Sequence, residues 1–256
     1  MAFTIAVAGK GGTGKTTVSG LIIRALVERR AGPVLAIDAD PNSNLGELLG
    51  LEVETTIGGL QAEILDKIRE LPAGVPLSRH LEYELHQSIV EGEGVDLLVM
   101  GRGEGPGCYC AVNNILRQCF STLRGTYKYA VLDNEAGMEH LARRVSHGVD
   151  LLLMVSDANP VAIRAVARIA SLSDELELGI GSRYLVLNRL QTEFSERGAE
   201  EVERSGLEVI ARIPHDEEIV TLNLDGQPLN VLRSDAASLA EINRMLATVL
   251  PEKEGE

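Results

Sequence analysis

The residue run best suited to chemistry lies near the start of the chain. Gly9, Lys10, Gly11, Gly12, Thr13, Gly14, Lys15 and Thr16 fit the spacing G-x-x-x-x-G-K-[ST], and Thr17 follows. Glycines let successive backbone N–H groups turn into one concavity, which holds the α- and β-phosphates of a nucleotide. A helix opening at this point adds the positive end of its dipole. Lys15 would then reach the β- and γ-phosphates, and the Thr16 hydroxyl would ligate Mg²⁺. The competing reading is a glycine-rich turn with no ligand. Average residue usage gives a chance match on the order of 1% for a chain this long, and an apolar run before the loop with a helical pattern after it lowers that further.

Three carboxylates, at two points of the chain, suit the same chemistry. Asp38 and Asp40 stand in Ala36-Ile37-Asp38-Ala39-Asp40-Pro41, after an apolar run. An acid at the carboxyl end of a parallel strand faces the ligand crevice, and Pro41 forces extended or turn backbone before it. The pair would serve the magnesium shell and the attacking water respectively; the alternative is that both cap a turn. Asp133 ends another apolar run, in Val131-Leu132-Asp133-Asn134-Glu135-Ala136-Gly137. There an acid holds Mg²⁺ through water, and Gly137 supplies a flexible backbone for a γ-phosphate-sensing segment. The plain alternative for Asp133 is a helix N-cap.

A third feature is Cys108-Tyr109-Cys110, within a glycine-rich stretch at 101–110. In extended backbone, residues two apart share a side, so the two thiols would be presented together. Two thiolates are an incomplete site for a soft divalent metal, which takes about four ligands. A two-fold dimer would complete it. The alternative is two incidental buried cysteines. Cys119 falls in a helical pattern and reads as a core residue.

Strand-like apolar runs occur at 4–8, 34–37, 95–100, 129–132, 151–155, 184–187 and 209–213, and helical patterns at 18–26, 115–123, 161–172 and 236–250. The runs are continuously apolar, which suits strands covered on both faces. The alternation predicts an α/β fold, doubly wound, with a mostly parallel sheet and helices on both faces. The whole chain, 1–256, is expected to form one domain. Residues 50–87 are the least regular part, expected to be a helical insertion at one edge with helices near 57–69 and 79–87, and 251–256 form an acidic tail.

Composition narrows the function classes. Among 256 residues, 45% are hydrophobic and only 3% aromatic, with no Trp, so stacking platforms for bases are disfavoured. The net charge of -14 repels phosphate backbones and anionic lipid. No nucleic-acid partner and no membrane partner are expected. Three cysteines do not make a disulfide framework, and no targeting segment is visible, which leads to the expectation of a cytoplasmic protein.

Lys10, next to the first glycine, gives the loop a second lysine. In this it resembles the deviant loop of the family containing MinD, ParA, nitrogenase iron protein and the arsenical-pump ATPase. That resemblance implies a dimeric ATPase, with Lys10 of each subunit reaching the partner's γ-phosphate. Asp38-Ala39-Asp40-Pro41 looks like the family's first switch. Guanine readers use Asn-Lys-x-Asp; here Asn188 is followed by Arg189-Leu190-Gln191, so adenine is preferred. In the family the base packs near this Asn and the segment here containing Pro214 and Asp216.

The C-x-C and the Asp133–Leu141 run, Asp-Asn-Glu-Ala-Gly-Met-Glu-His-Leu, resemble the CooC family, ATPases that assist nickel insertion into carbon monoxide dehydrogenase. The resemblance implies ATP/ADP and Mg²⁺ as cofactors, a homodimer, and carbon monoxide dehydrogenase as client. It also implies metal-dependent dimerisation through Cys108 and Cys110, with Ni²⁺ as the physiological metal and Zn²⁺ suited to the same thiolates. Two other classes stay open: a positioning switch of the MinD or ParA kind, and an iron–sulfur reductase-type ATPase.

Overall fold

The computed structural model describes residues 2–60, 77–102, 125–135, 148–176, 179–191 and 195–251. Eight strands form one sheet in the order β3-β4-β2-β5-β1-β6-β7-β8. They are β1 (Phe3–Gly9), β2 (Val34–Asp38), β3 (Ile89–Glu91), β4 (Val95–Val99), β5 (Tyr129–Asp133), β6 (Val149–Ser156), β7 (Ile180–Leu190) and β8 (Val209–Pro214). Every pairing is parallel except β3 with β4. All seven strands read from the sequence are present. The short antiparallel β3 was not foreseen, because three half-buried or exposed residues carry no apolar run.

The helices are α1 (Lys15–Glu28), α2 (Leu45–Leu49), α3 (Leu77–Gln87), α4 (Pro160–Glu175), α5 (Glu196–Ser205), α6 (Glu217–Leu224) and α7 (Ala237–Val249). Residues 57–60 are also helical. The pattern at 115–123 lies outside the described residues.

The continuous apolar strands follow from burial on both faces. In β1, Ile5 and Val7 join a core with Leu21, Ile22 and Leu26 of α1 and Leu239 and Ile242 of α7. Ala6 and Ala8 face a second core containing Val166 and Ala170 of α4. Period-two alternation therefore exists in space but not in polarity. Helix α1 closes with Arg30 in the left-handed region, φ 47°, while the Ala31 amide reaches back to the Leu26 carbonyl at 3.1 Å. Arg29 Nε donates to Asn243 Oδ1 at 2.7 Å, fixing α1 against α7. Helix α4 starts on an Asn159 cap, which accepts from the Val161 amide at 2.9 Å, with Pro160 as its first residue.

The winding reverses at β1. From β1 the chain moves outward to β2 and β4, returns through β5, and then runs outward on the other side through β6, β7 and β8. A ligand crevice forms outside the carboxyl ends of strands at such a reversal. The packing that holds β1, β5 and β6 in register therefore also holds the crevice. Leu153, fully buried beside Val7, is part of it. Leu153→Ala is expected to cost about 2–5 kcal/mol, read as a lower midpoint in urea at unchanged slope.

Candidate functional site

The carboxyl ends of β1, β2 and β5 meet. Parallel register sets Asp38 opposite Asp133, and Asp133 opposite Val7, just before the glycine loop. Gly9 ends β1 pressed against β6: a side chain there would put its Cβ 2.2 Å from the Val155 carbonyl oxygen. The loop then closes on itself. The Lys10 carbonyl accepts from the Thr13 hydroxyl at 2.9 Å and lies 3.5 Å from the Lys15 ammonium. Gly14, φ 85°, turns the chain into α1, whose first amides have no intrahelical acceptor. Gly11 and Gly12 are exposed, and Thr16 and Thr17 are partly so. Lys15 is buried at the loop's centre. Lys10 is exposed, and among the described residues nothing accepts from its ammonium.

The two strand-end acids differ in what occupies them. Asp38 is wholly buried, but its oxygens accept from the Asp40 amide at 3.0 Å and the Leu45 amide at 2.9 Å. It thus orders the turn into α2. Burial, offset by these amides and reinforced by the Asp40 charge, pushes its pKa up to about 6. Asp133 accepts from the Ser19 hydroxyl at 3.1 Å through Oδ1, while among the described residues its buried Oδ2 has no hydrogen-bond partner. Burial pushes Asp133 up to about 7; the nearby Thr16 hydroxyl opposes this, the Asp38 charge adds to it, and Ser19 and Lys15 oppose it. An orphaned, buried carboxylate oxygen beside a threonine hydroxyl and a second acid is an oxygen-only donor set, of the kind Mg²⁺ takes. The residues present fit that ion.

Asp40 is half-buried, and its Oδ1 accepts from the Asn42 amide at 2.9 Å. At the far side of the loop, Asn188 Nδ2 donates to the Thr13 carbonyl at 2.9 Å and Arg189 Nη1 to the Gly12 carbonyl at 3.0 Å. Pro214 pairs with Leu190, so the Asn188 and Asp216 segments are neighbours. Asp216 caps α6 through the Glu218 amide at 3.1 Å and accepts from the Ser238 hydroxyl at 2.7 Å. Cys108, Cys110, Cys119 and Gly137 lie outside the described residues.

Sequence reasoning passed over Ser19, Asn134 and the loop contact of Arg189. Ser19 was findable, since it sits four residues after Lys15 on the same helix face. Asn134 donates to the Val7 carbonyl at 3.0 Å, tying β5 to β1 just beyond Asp133. Nothing in the sequence marks the backbone irregularity that aims Arg189.

Fold and site together define a nucleotide-binding α/β protein with a phosphate loop. Residues 4–229 match the family described as the CobQ/CobB/MinD/ParA nucleotide binding domain. The chain is 41% identical over 227 residues to an ATP-binding protein of Methanocaldococcus jannaschii, covering 88% of this chain and 89% of that one. It is 32% identical to the carbon monoxide dehydrogenase accessory protein CooC of Rhodospirillum rubrum, over 73% of this chain and 74% of that one. Among solved structures it superposes on MinD of the Aquifex aeolicus MinC:MinD complex with TM-score 0.71 at 24% identity, covering 98% of both chains. A ParA family ATPase of Chlorobium tepidum gives TM-score 0.71 at 21% identity, over 94% of this chain and 96% of that one. The chain belongs to the CobQ/CobB/MinD/ParA nucleotide-binding family and is an ATPase of that MinD/ParA-like class.

A carboxyl whose folded pKa lies above its unfolded value favours folding while protonated. For Asp133 and Asp38 that contribution is whole below about pH 4 and fades as pH rises through 6 to 7. Without nucleotide, Asp133→Asn is therefore expected to melt above wild type near pH 8 and to converge with it toward about pH 4. Thermal unfolding across pH checks this. The same variant is expected to lose magnesium-dependent nucleotide affinity, measured by calorimetry.

Proposed function

We propose that this chain is a Mg-ATP-dependent dimeric ATPase that serves as a metallochaperone, assisting nickel insertion into carbon monoxide dehydrogenase in the cytoplasm. The observation that carries its ATPase half is the orphaned Oδ2 of buried Asp133 beside the loop. The 32% identity to CooC, over 74% of that protein, supports the client. The Cys108 and Cys110 spacing supports a thiolate site shared between two subunits, which would take Ni²⁺ as cargo and accept Zn²⁺ as well.

Thr16, Asp133 and Asp38 would hold the magnesium, which when bound neutralises charge on the phosphate oxygens. Lys15, at the loop's centre, stabilises negative charge on the terminal phosphates. Asp40 orients the attacking water. Lys10, exposed and without an acceptor among the described residues, would reach the nucleotide of the partner subunit and act in trans. Asn188, Pro214 and Asp216 border the side on which the adenine would lie. One domain spanning the chain would carry all of these groups.

The reading is tested by nickel and zinc binding, with molar mass by light scattering, on reduced wild type and the Cys108→Ser/Cys110→Ser double variant. Wild type is expected to bind about one metal per two chains and to dimerise with it, and the variant to lose both. Metal binding that survives in the variant, or a metal-independent dimer, would refute the shared thiolate site.

A further inference from the structure

In a regular strand, consecutive side chains point to opposite faces. Asn188 and Arg189 are consecutive, yet both donate to the phosphate loop, one to the Thr13 carbonyl and the other to the Gly12 carbonyl. The backbone explains how. Pairing of β7 with β8 is irregular between Leu187 and Leu190, and Arg189 lies in the left-handed region at φ 57°. A long side chain is rarely found there, and such positions persist where surrounding structure holds them for a purpose. Bulges of this kind re-aim a side chain next to a site. Gly14 completes the fit: a Cβ there would sit 2.4 Å from Asn188 Nδ2 and 3.4 Å from Arg189 Nε.

The target of the two donors matters as much as their origin. A loop that binds phosphate must turn its amides inward, so its carbonyls must turn out and find donors elsewhere. Lys10 receives the Thr13 hydroxyl, Gly14 the Val18 amide and Thr13 the Asn188 amide. Among the described residues the Gly12 carbonyl receives only Arg189. Among the described residues the Arg189 guanidinium makes no ion pair, so this contact is not incidental to a surface salt bridge.

We propose that Arg189 is a positioning residue for the phosphate loop: from the bulge at the end of β7 its guanidinium holds the Gly12 carbonyl outward and so keeps the loop amides facing the phosphates. The inference rests on the ATP site alone and is indifferent to what metal the thiols take. It predicts selectivity in the damage. Loss of the donor weakens recognition of the phosphates and leaves recognition of the nucleoside alone.

The test compares wild type with Arg189→Gly, Arg189→Gln and Arg189→Lys. Glycine accepts φ 57° without strain, so Arg189→Gly is expected to keep the wild-type urea midpoint while losing roughly tenfold in ADP and ATP affinity by calorimetry. Inhibition of ATP hydrolysis by adenosine is expected to be unchanged, and Arg189→Lys to recover part of the affinity. Should Arg189→Gly fold poorly, Arg189→Gln is read in the same way. Unchanged ADP affinity in the folded variants overturns the proposal. So does adenosine inhibition falling in step with ADP, which would make Arg189 a contact to the base.

Discussion

The site is organised by an electrostatic imbalance at the carboxyl edge of the sheet. Asp38 and Asp133 end adjacent parallel strands in matched register, both removed from water. Burial disfavours the charged form of each, and the Asp38 charge further raises the cost of charging Asp133. The fold could have relieved this with a cationic partner for both. Instead it spends two backbone amides on Asp38 and, among the described residues, leaves one oxygen of Asp133 with none. A buried acceptor left open is costly in the empty protein and becomes favourable when a cation arrives. The ligand-free fold thus carries a penalty that the magnesium nucleotide would remove, which makes folding stability and nucleotide binding two readings of one term.

Around this pair, three elements set the loop. β6 crowds Gly9 so that only glycine ends β1, α1 supplies unsatisfied amides, and the bulged end of β7 supplies donors for loop carbonyls. The loop's shape is therefore decided mostly by residues distant from it in sequence. That is also why the winding reversal at β1 matters: it brings β5 to one flank and β6, followed by β7, to the other.

Much of this was legible beforehand, for identifiable reasons. The central strands announced themselves because helices cover both faces, so residues such as Leu151 to Val155 are apolar without interruption. The loop was legible because its chemistry demands particular residues at fixed spacing. Helix α5 was not, because Glu196, Glu200, Glu201 and Glu203 give it a strongly polar surface with only Gly198 buried. β3 was too short to register. The assignment of Asp38 and Asp133 as similar acids was only half a description. Their division of labour depends on Ser19, which helical spacing from Lys15 offered, and on the turn into α2, which no spacing discloses. Asn188 was read for its base and not for its bond to Thr13, because a motif names a residue and not its backbone.

On the proposed metallochaperone reading, the strand end from which the chain continues in sequence toward the cysteines is bonded to the nucleotide site. The Met100 amide, at the end of β4, donates to the carbonyl of Asp38 at 2.8 Å. The Met100 carbonyl in turn accepts from Gly58 at 2.8 Å, and Gly101, φ 61°, packs so tightly on Thr56 that a Cβ would lie 2.5 Å from its hydroxyl. The chain running toward Cys108 and Cys110 therefore leaves the sheet from a strand end bonded to the backbone of a switch carboxylate. A change in the turn from Asp38 through Asp40 to Leu45 has to be absorbed at Met100 and Gly101, because close-packed strand ends do not deform continuously.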